Sequence, residues 1–278
     1  MGVNDGQREW QLAGSAAELY QRNLVPVVTA RWADDLIERV DPHAGERVLD
    51  VACGTGVVAR KAAVRVGLTG RVAAVDVNAG MLAVARSLPP VPGATIAWHE
   101  ASALELPFAA DSFDVVLCQL GLQFFPEPSA ALREQRRVLV VGGRLALSVF
   151  SPIERNPAAQ ALSNALDRHV ATDASLAKRA EHALANPAEL TALVADAGFR
   201  QIRIETVSKT THVPSVADYV RVQLAATPLA SIVEGLDTAA RGAVIDALLE
   251  DVSAALEPYG DDSGLCFPQE VHVLLGVC

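Results

Sequence analysis

Four cysteines in 278 residues, Cys53, Cys118, Cys266 and Cys278, are too few and too scattered to staple a secreted fold or set a metal-ligand spacing. They read as small buried thiols in a reducing, cytoplasmic setting, and no metal site is expected. Positive charge is scarce too. Only 23 Lys and Arg stand against 33 Asp and Glu, a net charge of −10, and no basic run tracks a phosphate backbone. That balance excludes nucleic acid as a natural partner and disfavours adsorption to anionic lipid. Apolar stretches long enough to span a bilayer are missing as well. The first ten residues have neither a basic start nor an apolar core, so no signal peptide is expected. Gly2 invites myristoylation, but Gly6 stands where Ser or Thr is needed. The expectation is a cytoplasmic protein, monomer or homodimer, that handles a small molecule.

What is present is apolar: 51% of residues are hydrophobic, enough for a sizeable core. Residues 7–40 carry helical spacing in two pieces that break near Pro26. Strand-like runs then follow at 47–51, 71–76, 94–99, 113–118 and 143–150, with helix-length segments between them. Gly142-Gly143 is expected to turn the last of these helices into its strand. Strict alternation of this kind predicts an α/β fold with a doubly wound, mostly parallel sheet. Residues 151–186 and 214–258 are Ala- and Leu-rich helical insertions, and 187–213 and 263–278 complete the sheet, with strands expected at 199–207 and 265–277. With no repeat and no low-complexity linker, residues 1–278 read as one domain. In it 1–40 are a helical lid, 41–150 a ligand-binding core and the insertions a cap.

Two of the strands end in a carboxylate. Arg47-Val-Leu-Asp50-Val-Ala-Cys-Gly54-Thr-Gly56 passes from a strand into a glycine turn, and Val72-Ala-Ala-Val75 ends in Asp76. Open α/β sheets hold ligands at that edge. Gly54-Thr55-Gly56-Val57-Val58-Ala59 also fits the dinucleotide pattern, so an NAD-dependent dehydrogenase has to be weighed. Asp50 argues against it, because a carboxylate beside the turn repels a pyrophosphate and attracts an ammonium. Asp76 is suited to accept hydrogen bonds from two adjacent ribose hydroxyls.

These segments resemble a known family. Val48–Gly56 looks like motif I of class I S-adenosylmethionine-dependent methyltransferases, and Val75–Met81 like their second motif. Ala101–Phe108 with Asp111–Asp114 resembles the approach to strand four, and Arg137-Val-Leu with Gly142-Gly143-Arg144 the approach to strand five. The resemblance covers residues 47–150 in order and is nearest to the ubiquinone/menaquinone-biosynthesis-like small-molecule enzymes. It implies a Rossmann-like sheet whose last strand is antiparallel, with S-adenosylmethionine as cofactor and S-adenosylhomocysteine as product.

By the same resemblance, Asp50, Ala52 and the Gly54–Thr55–Gly56 backbone hold the methionine moiety, and Asp76 the ribose. Val77 and Met81 pack near the adenine, Ser102 and Ala103 border its amine, and Gln119 lines the methionine end. Ala52 replaces a glycine of the usual motif, a change tolerated if its φ is negative. Ser102 replaces a common aspartate, which weakens the bond to the amine.

The stretch Cys118–Pro126 lacks the Asn/Asp-Pro-Pro-aromatic motif of base and amide N-methyltransferases, and no acidic cluster suggests a magnesium site. Methyl transfer to a small, apolar acceptor is expected, with oxygen favoured over nitrogen or carbon. Gln119 and Gln123, four apart, are expected to face the pocket together, and Tyr20 and Trp10 to close over it. His169 and His182 are the candidate bases. The alternative is a protein of this fold that binds the cofactor for other chemistry or is catalytically silent.

Overall fold

Strand β1 (Arg47–Val51) shows how the sheet is buried on both sides. Val48 joins one core with Val115 and Leu117, while Leu49 and Val51 join another with Val116 and Leu147. Alternate strand residues face opposite ways, so a run that is apolar at nearly every position needs helices on both faces. Each fully buried Leu or Val of this kind contributes about 1.5–3 kcal/mol over an exposed one.

The computed structural model describes residues 15–227, 229 and 238–278. Trp10, expected over the pocket, lies outside the described residues. The chain enters through α1 (Ser15–Leu19), a π-helical stretch (Tyr20–Thr29) and α2 (Ala30–Val40). After β1 come α3 (Val57–Val66), β2 (Arg71–Asp76), α4 (Ala79–Ser87), β3 (Ile96–Glu100), β4 (Phe113–Gln119), α5 (Pro128–Val138) and β5 (Leu139–Phe150). Next are α6 (Pro157–His169), α7 (Leu176–Ala180), α8 (Pro187–Asp196) and β6 (Arg200–Val213). The described chain closes with α9 (Val216–Ala226), α10 (Thr238–Leu256), β7 (Gly260–Asp261) and β8 (Gly264–Val277).

The sheet order is β3-β2-β1-β4-β5-β8-β6, with β7 beside β8. Strands β1 to β5 pair in parallel, and β8 runs antiparallel between β5 and β6. This is the doubly wound sheet that the alternation predicts, with the antiparallel last strand that the resemblance implies. Strand order reverses between β1 and β4, which opens a crevice at their carboxyl ends. Helices α6, α9 and α10 build a separate core from Leu162, Leu166, Tyr219, Leu224, Leu248 and Val252, seated on Leu265 and Phe267 of β8. No helix among the described residues is long and apolar enough to cross a membrane.

Three local expectations need correction. Pro26 does not break the entry helix. The helix widens instead, and the Ala30 N–H reaches the Val25 carbonyl five residues back. A π turn accommodates a proline that lacks an N–H and crowds the preceding turn. Gly142-Gly143 does not precede β5 but lies inside it, with Gly142 at φ 79°. The partner strand shifts register between Phe113 and Val115, so the pair kinks a continuous strand. Strand β6, expected to stop at 207, runs on to Val213, because its polar residues Ser208 to His212 pair with Glu270 to Cys266 on β8. Polar residues are normal on such an edge strand.

Candidate active site

The crevice holds a cavity of about 300 Å³, floored by the carboxyl ends of β1, β2 and β4 and roofed by the π-helical stretch and α9. Asp50 lies in its floor, 1% exposed, and its Oδ2 accepts the Ala59 N–H at 2.9 Å. Burial pushes this carboxyl up to about 8; the Ala59 N–H opposes the shift and the charge of Asp76 adds to it. Asp76 accepts the Gly54 N–H on Oδ2 at 2.7 Å and the Asn78 N–H on Oδ1 at 2.8 Å. Burial raises this carboxyl as well, against the pull of those backbone donors. Asn78, Gly54 and Val77 all bear on this carboxylate through their N–H groups, and its remaining acceptor capacity is open to a ligand.

The turn between the two carboxylates is held open by unusual backbone. Gly54 and Gly56 have φ of 54° and 86°, and a Cβ on Gly56 would collide with the Trp98 ring. At Gly54 a Cβ would meet nothing within 4 Å, so its half-buried backbone borders open cavity. Ala52 sits at φ 56°, not at the negative value its substitution was expected to need. A methyl side chain tolerates this left-handed conformation at a cost of roughly 1–2 kcal/mol. Leu120, at the end of β4, is likewise at φ 51° and lines the same cavity. Strained residues of this sort cluster at functional sites.

Three polar groups bear on what fits here. Gln119 donates to the Thr29 carbonyl at 3.0 Å, and its buried Oε1 has no partner among the described residues. Asn78 caps α4 by accepting the Met81 N–H at 3.1 Å, and its buried Nδ2 likewise has none. Ser102 accepts the Leu104 N–H at 3.1 Å. A buried polar atom without a partner costs about 1–3 kcal/mol, so an acceptor at Gln119 and a donor at Asn78 fit a ligand better than an empty core. Tyr20 completes the roof. Burial pushes its hydroxyl up to about 12, opposed by a hydrogen bond with Thr29, so it stays protonated.

The cavity is lined by Asp50, Ala52, Gly54, Asp76, Val77, Met81, Ser102, Ala103, Gln119 and Tyr20, all named from the sequence. Thr55 and Gly56 do not line it: Thr55 is buried beneath the turn, and Gly56 packs against Trp98. Gln123 does not share the pocket with Gln119. Residues Leu122–Phe124 form a 3-10 turn, not an α-helix, and buried Gln123 donates to the Leu120 carbonyl at 3.0 Å. His169 does not line this cavity, and its Nε2 lies 2.8 Å from Asp251 Oδ2.

His182 lines a second cavity of about 320 Å³, which continues from the first under the helical cover. Its Nδ1 donates to the Ser151 carbonyl at 2.6 Å, and burial lowers its pKa, so the ring is neutral. Lys178, Glu181 and Gln223 border both cavities. Sequence reading missed these three and also missed Asn78 as a cavity-lining residue, although it lies inside the Val75–Met81 motif.

The family model described as the ubiE/COQ5 methyltransferase family matches residues 24–213. The ubiquinone/menaquinone biosynthesis C-methyltransferase UbiE of Rhizobium meliloti is 39% identical over 127 residues, 44% of this chain and 49% of that protein. The chain thus spans about half the length of the relatives it matches. Among solved structures, a Haemonchus contortus phosphoethanolamine N-methyltransferase 2 in complex with S-adenosyl-L-methionine has a TM-score of 0.53 at 17% identity, covering 89% of this chain and 52% of that one. The cyclase SpnF has a TM-score of 0.54 at 18% identity, covering 95% of this chain and 94% of that one. At such identities the fold is what is shared.

Proposed function

The chain belongs to the ubiE/COQ5 methyltransferase family, and from that premise we propose that it methylates a ring carbon of a small hydroxylated aromatic acceptor, using S-adenosylmethionine. The cofactor supplies a methyl group on a sulfonium whose departing thioether is neutral, so the protein need not provide a strong acid. Asp76 takes the ribose diol with its remaining acceptor capacity, and Asp50 with Gln119 Oε1 takes the ammonium of the methionine end. Gly54 backs the methionine moiety, Asn78 Nδ2 donates to the nucleoside, and Val77, Met81, Ser102 and Ala103 border the adenine.

The helical cover and residues 15–40 form the acceptor's wall, so the division into lid, core 41–150 and cap belongs to this reading. Their task is alignment: holding an acceptor in line is worth about 7–11 kcal/mol, more than a general base supplies. Sequence reading favoured oxygen as the acceptor atom. Carbon is now preferred, because the named relative is a C-methyltransferase. The environment of the groups near the site agrees: Tyr20 stays protonated and His182 stands in the second cavity, leaving no histidine at the methionine end. An activated ring carbon needs only to shed its proton to solvent after the new bond forms.

The observation that carries the reading is the pair Asp50 and Asp76 beside Gln119, whose Oε1 has no partner among the described residues, in one cavity. Calorimetry with S-adenosylhomocysteine tests it. Asp76→Ala should weaken binding by about 1.5–3 kcal/mol, the range for bonds to a charged group. An unchanged dissociation constant removes Asp76 from the site. Labelled methyl transfer to dihydroxynaphthalene, read by carbon NMR, separates carbon from oxygen methylation. Because SpnF shares the fold, fold alone does not fix the chemistry. Binding with no methyl transfer to any hydroxylated aromatic favours the non-methylating alternative.

A further inference from the structure

Lys178 is a buried cation, 6% exposed, in a cover built mostly of alanine, leucine and valine. Its Nζ donates to Glu181 Oε2 at 2.7 Å and to Gln223 Oε1 at 2.9 Å. An ammonium has three donors, so one has no partner among the described residues. Glu181 commits one oxygen to this pair and keeps the other. Burying two charges costs several kcal/mol each before their attraction is counted, and apolar residues would join α7 to α9 at least as well. The trio stands on the wall common to both cavities, flanked by Leu24, Val28 and Phe150.

The charges of this wall select a ligand group. The ion pair is neutral overall and offers a donor on Lys178 beside an acceptor on Glu181. A carboxylate or phosphate would be drawn to Lys178 but repelled by Glu181, and an ammonium would meet the reverse. A neutral hydroxyl satisfies both, accepting from one and donating to the other. We propose that Lys178, Glu181 and Gln223 anchor a hydroxyl of the acceptor at the junction of the two cavities, with its hydrocarbon ring against Leu24, Val28 and Phe150. The assignment rests on the methyltransferase reading for what the anchored molecule is, and on the polar cluster for where it is held.

Naphthol and methylnaphthalene, similar in size and differing in the hydroxyl, are the probes. Calorimetry on the full chain saturated with S-adenosylhomocysteine should show naphthol preferred by about tenfold or more, as hydrogen bonds to charged groups allow. In the double variant Lys178→Met/Glu181→Leu, which strands no buried charge, the preference should fall to within about twofold. Glu181→Gln, a gentler change, should cut it by at least about threefold. Full naphthol preference in either folded variant, with S-adenosylhomocysteine affinity unchanged, overturns the anchoring role and leaves the methyltransferase reading standing. A wild-type protein that selects naphthol but does not bind S-adenosylhomocysteine supports the anchor and sinks that reading.

Discussion

The floor and the cover of the cavity are built by different means. The floor and the turn behind it are backbone held under constraint: Ala52, Gly54, Gly56 and Leu120 all have positive φ, and Asp76 is fixed by peptide N–H groups. The cover is helices joined by side chains, with apolar packing interrupted by buried polar groups, among them the Lys178, Glu181 and Gln223 trio. A constrained backbone positions ligand atoms closely and tolerates little change. Packed helices allow the wall above the floor to vary while the floor stays the same, as expected where one fold hosts different chemistries.

Substitution at Gly56 should give the largest effect and the hardest test of that contrast. Gly56→Ala adds a Cβ only 2.3 Å from the edge of the Trp98 ring at a left-handed φ of 86°. Backbone strain of about 1–2 kcal/mol and overpacking of about 1–3 kcal/mol together predict a loss of roughly 2–5 kcal/mol in denaturant unfolding. The Lys178→Met/Glu181→Leu change in the cover should cost far less, since buried ion pairs are often replaced without loss. Equal losses at the two places would erase the distinction.

The same contrast decides what was legible in the sequence. Asp50, Gly54 and Asp76 form a local pattern, each at a strand end or in the turn that follows, so residue order alone brought them together. The alternation of strands and helices likewise fixed the sheet through β5. The hand of Ala52 was not legible, because any residue in a short turn has two backbone solutions and its letter does not choose. Gln123 was misread for a related reason: four-residue spacing puts side chains on one face only in an α-helix, and Leu122–Phe124 is a tighter turn. Lys178 and Gln223 are 45 residues apart on separate helices and meet only through packing, which no local pattern announces.

Acidity sharpens the comparison next. Burial carries the Asp50 carboxyl up to about 8 in the ligand-free protein. The folded chain then keeps a proton that the unfolded chain has released. Stability from this group is full at acid pH, below the unfolded value, and drains away as pH rises to about 8. An ammonium ligand favours the ionised carboxylate, so S-adenosylhomocysteine binding at neutral pH should expel close to one proton from Asp50. Affinity should climb by up to about tenfold per pH unit toward that value. Calorimetry in buffers of different ionisation heat counts the proton, and Asp50→Asn should release none. His182, lowered by burial, is already neutral there, so the cover adds no comparable slope. Zero release from the wild-type protein would take Asp50 away from the ammonium.

The smallest effect belongs to Ala52, where strain and packing oppose each other within one residue. Ala52→Gly removes the left-handed penalty of roughly 1–2 kcal/mol. It also gives the unfolded chain more freedom, at a cost of about 0.4–1 kcal/mol, and discards a methyl group worth about 0.8 kcal/mol when buried. That methyl has a definite place: a Cβ on Gly121 would come within 2.7 Å of it, so the two turns are fitted to each other. The terms nearly cancel, and stability in urea should move by no more than about 1 kcal/mol either way. A gain above about 2 kcal/mol would mean that strain dominates the floor. A loss of that size would mean that the contact between the turns after β1 and β4 is what holds the floor in shape, and the contrast with the cover would then rest on packing in both regions.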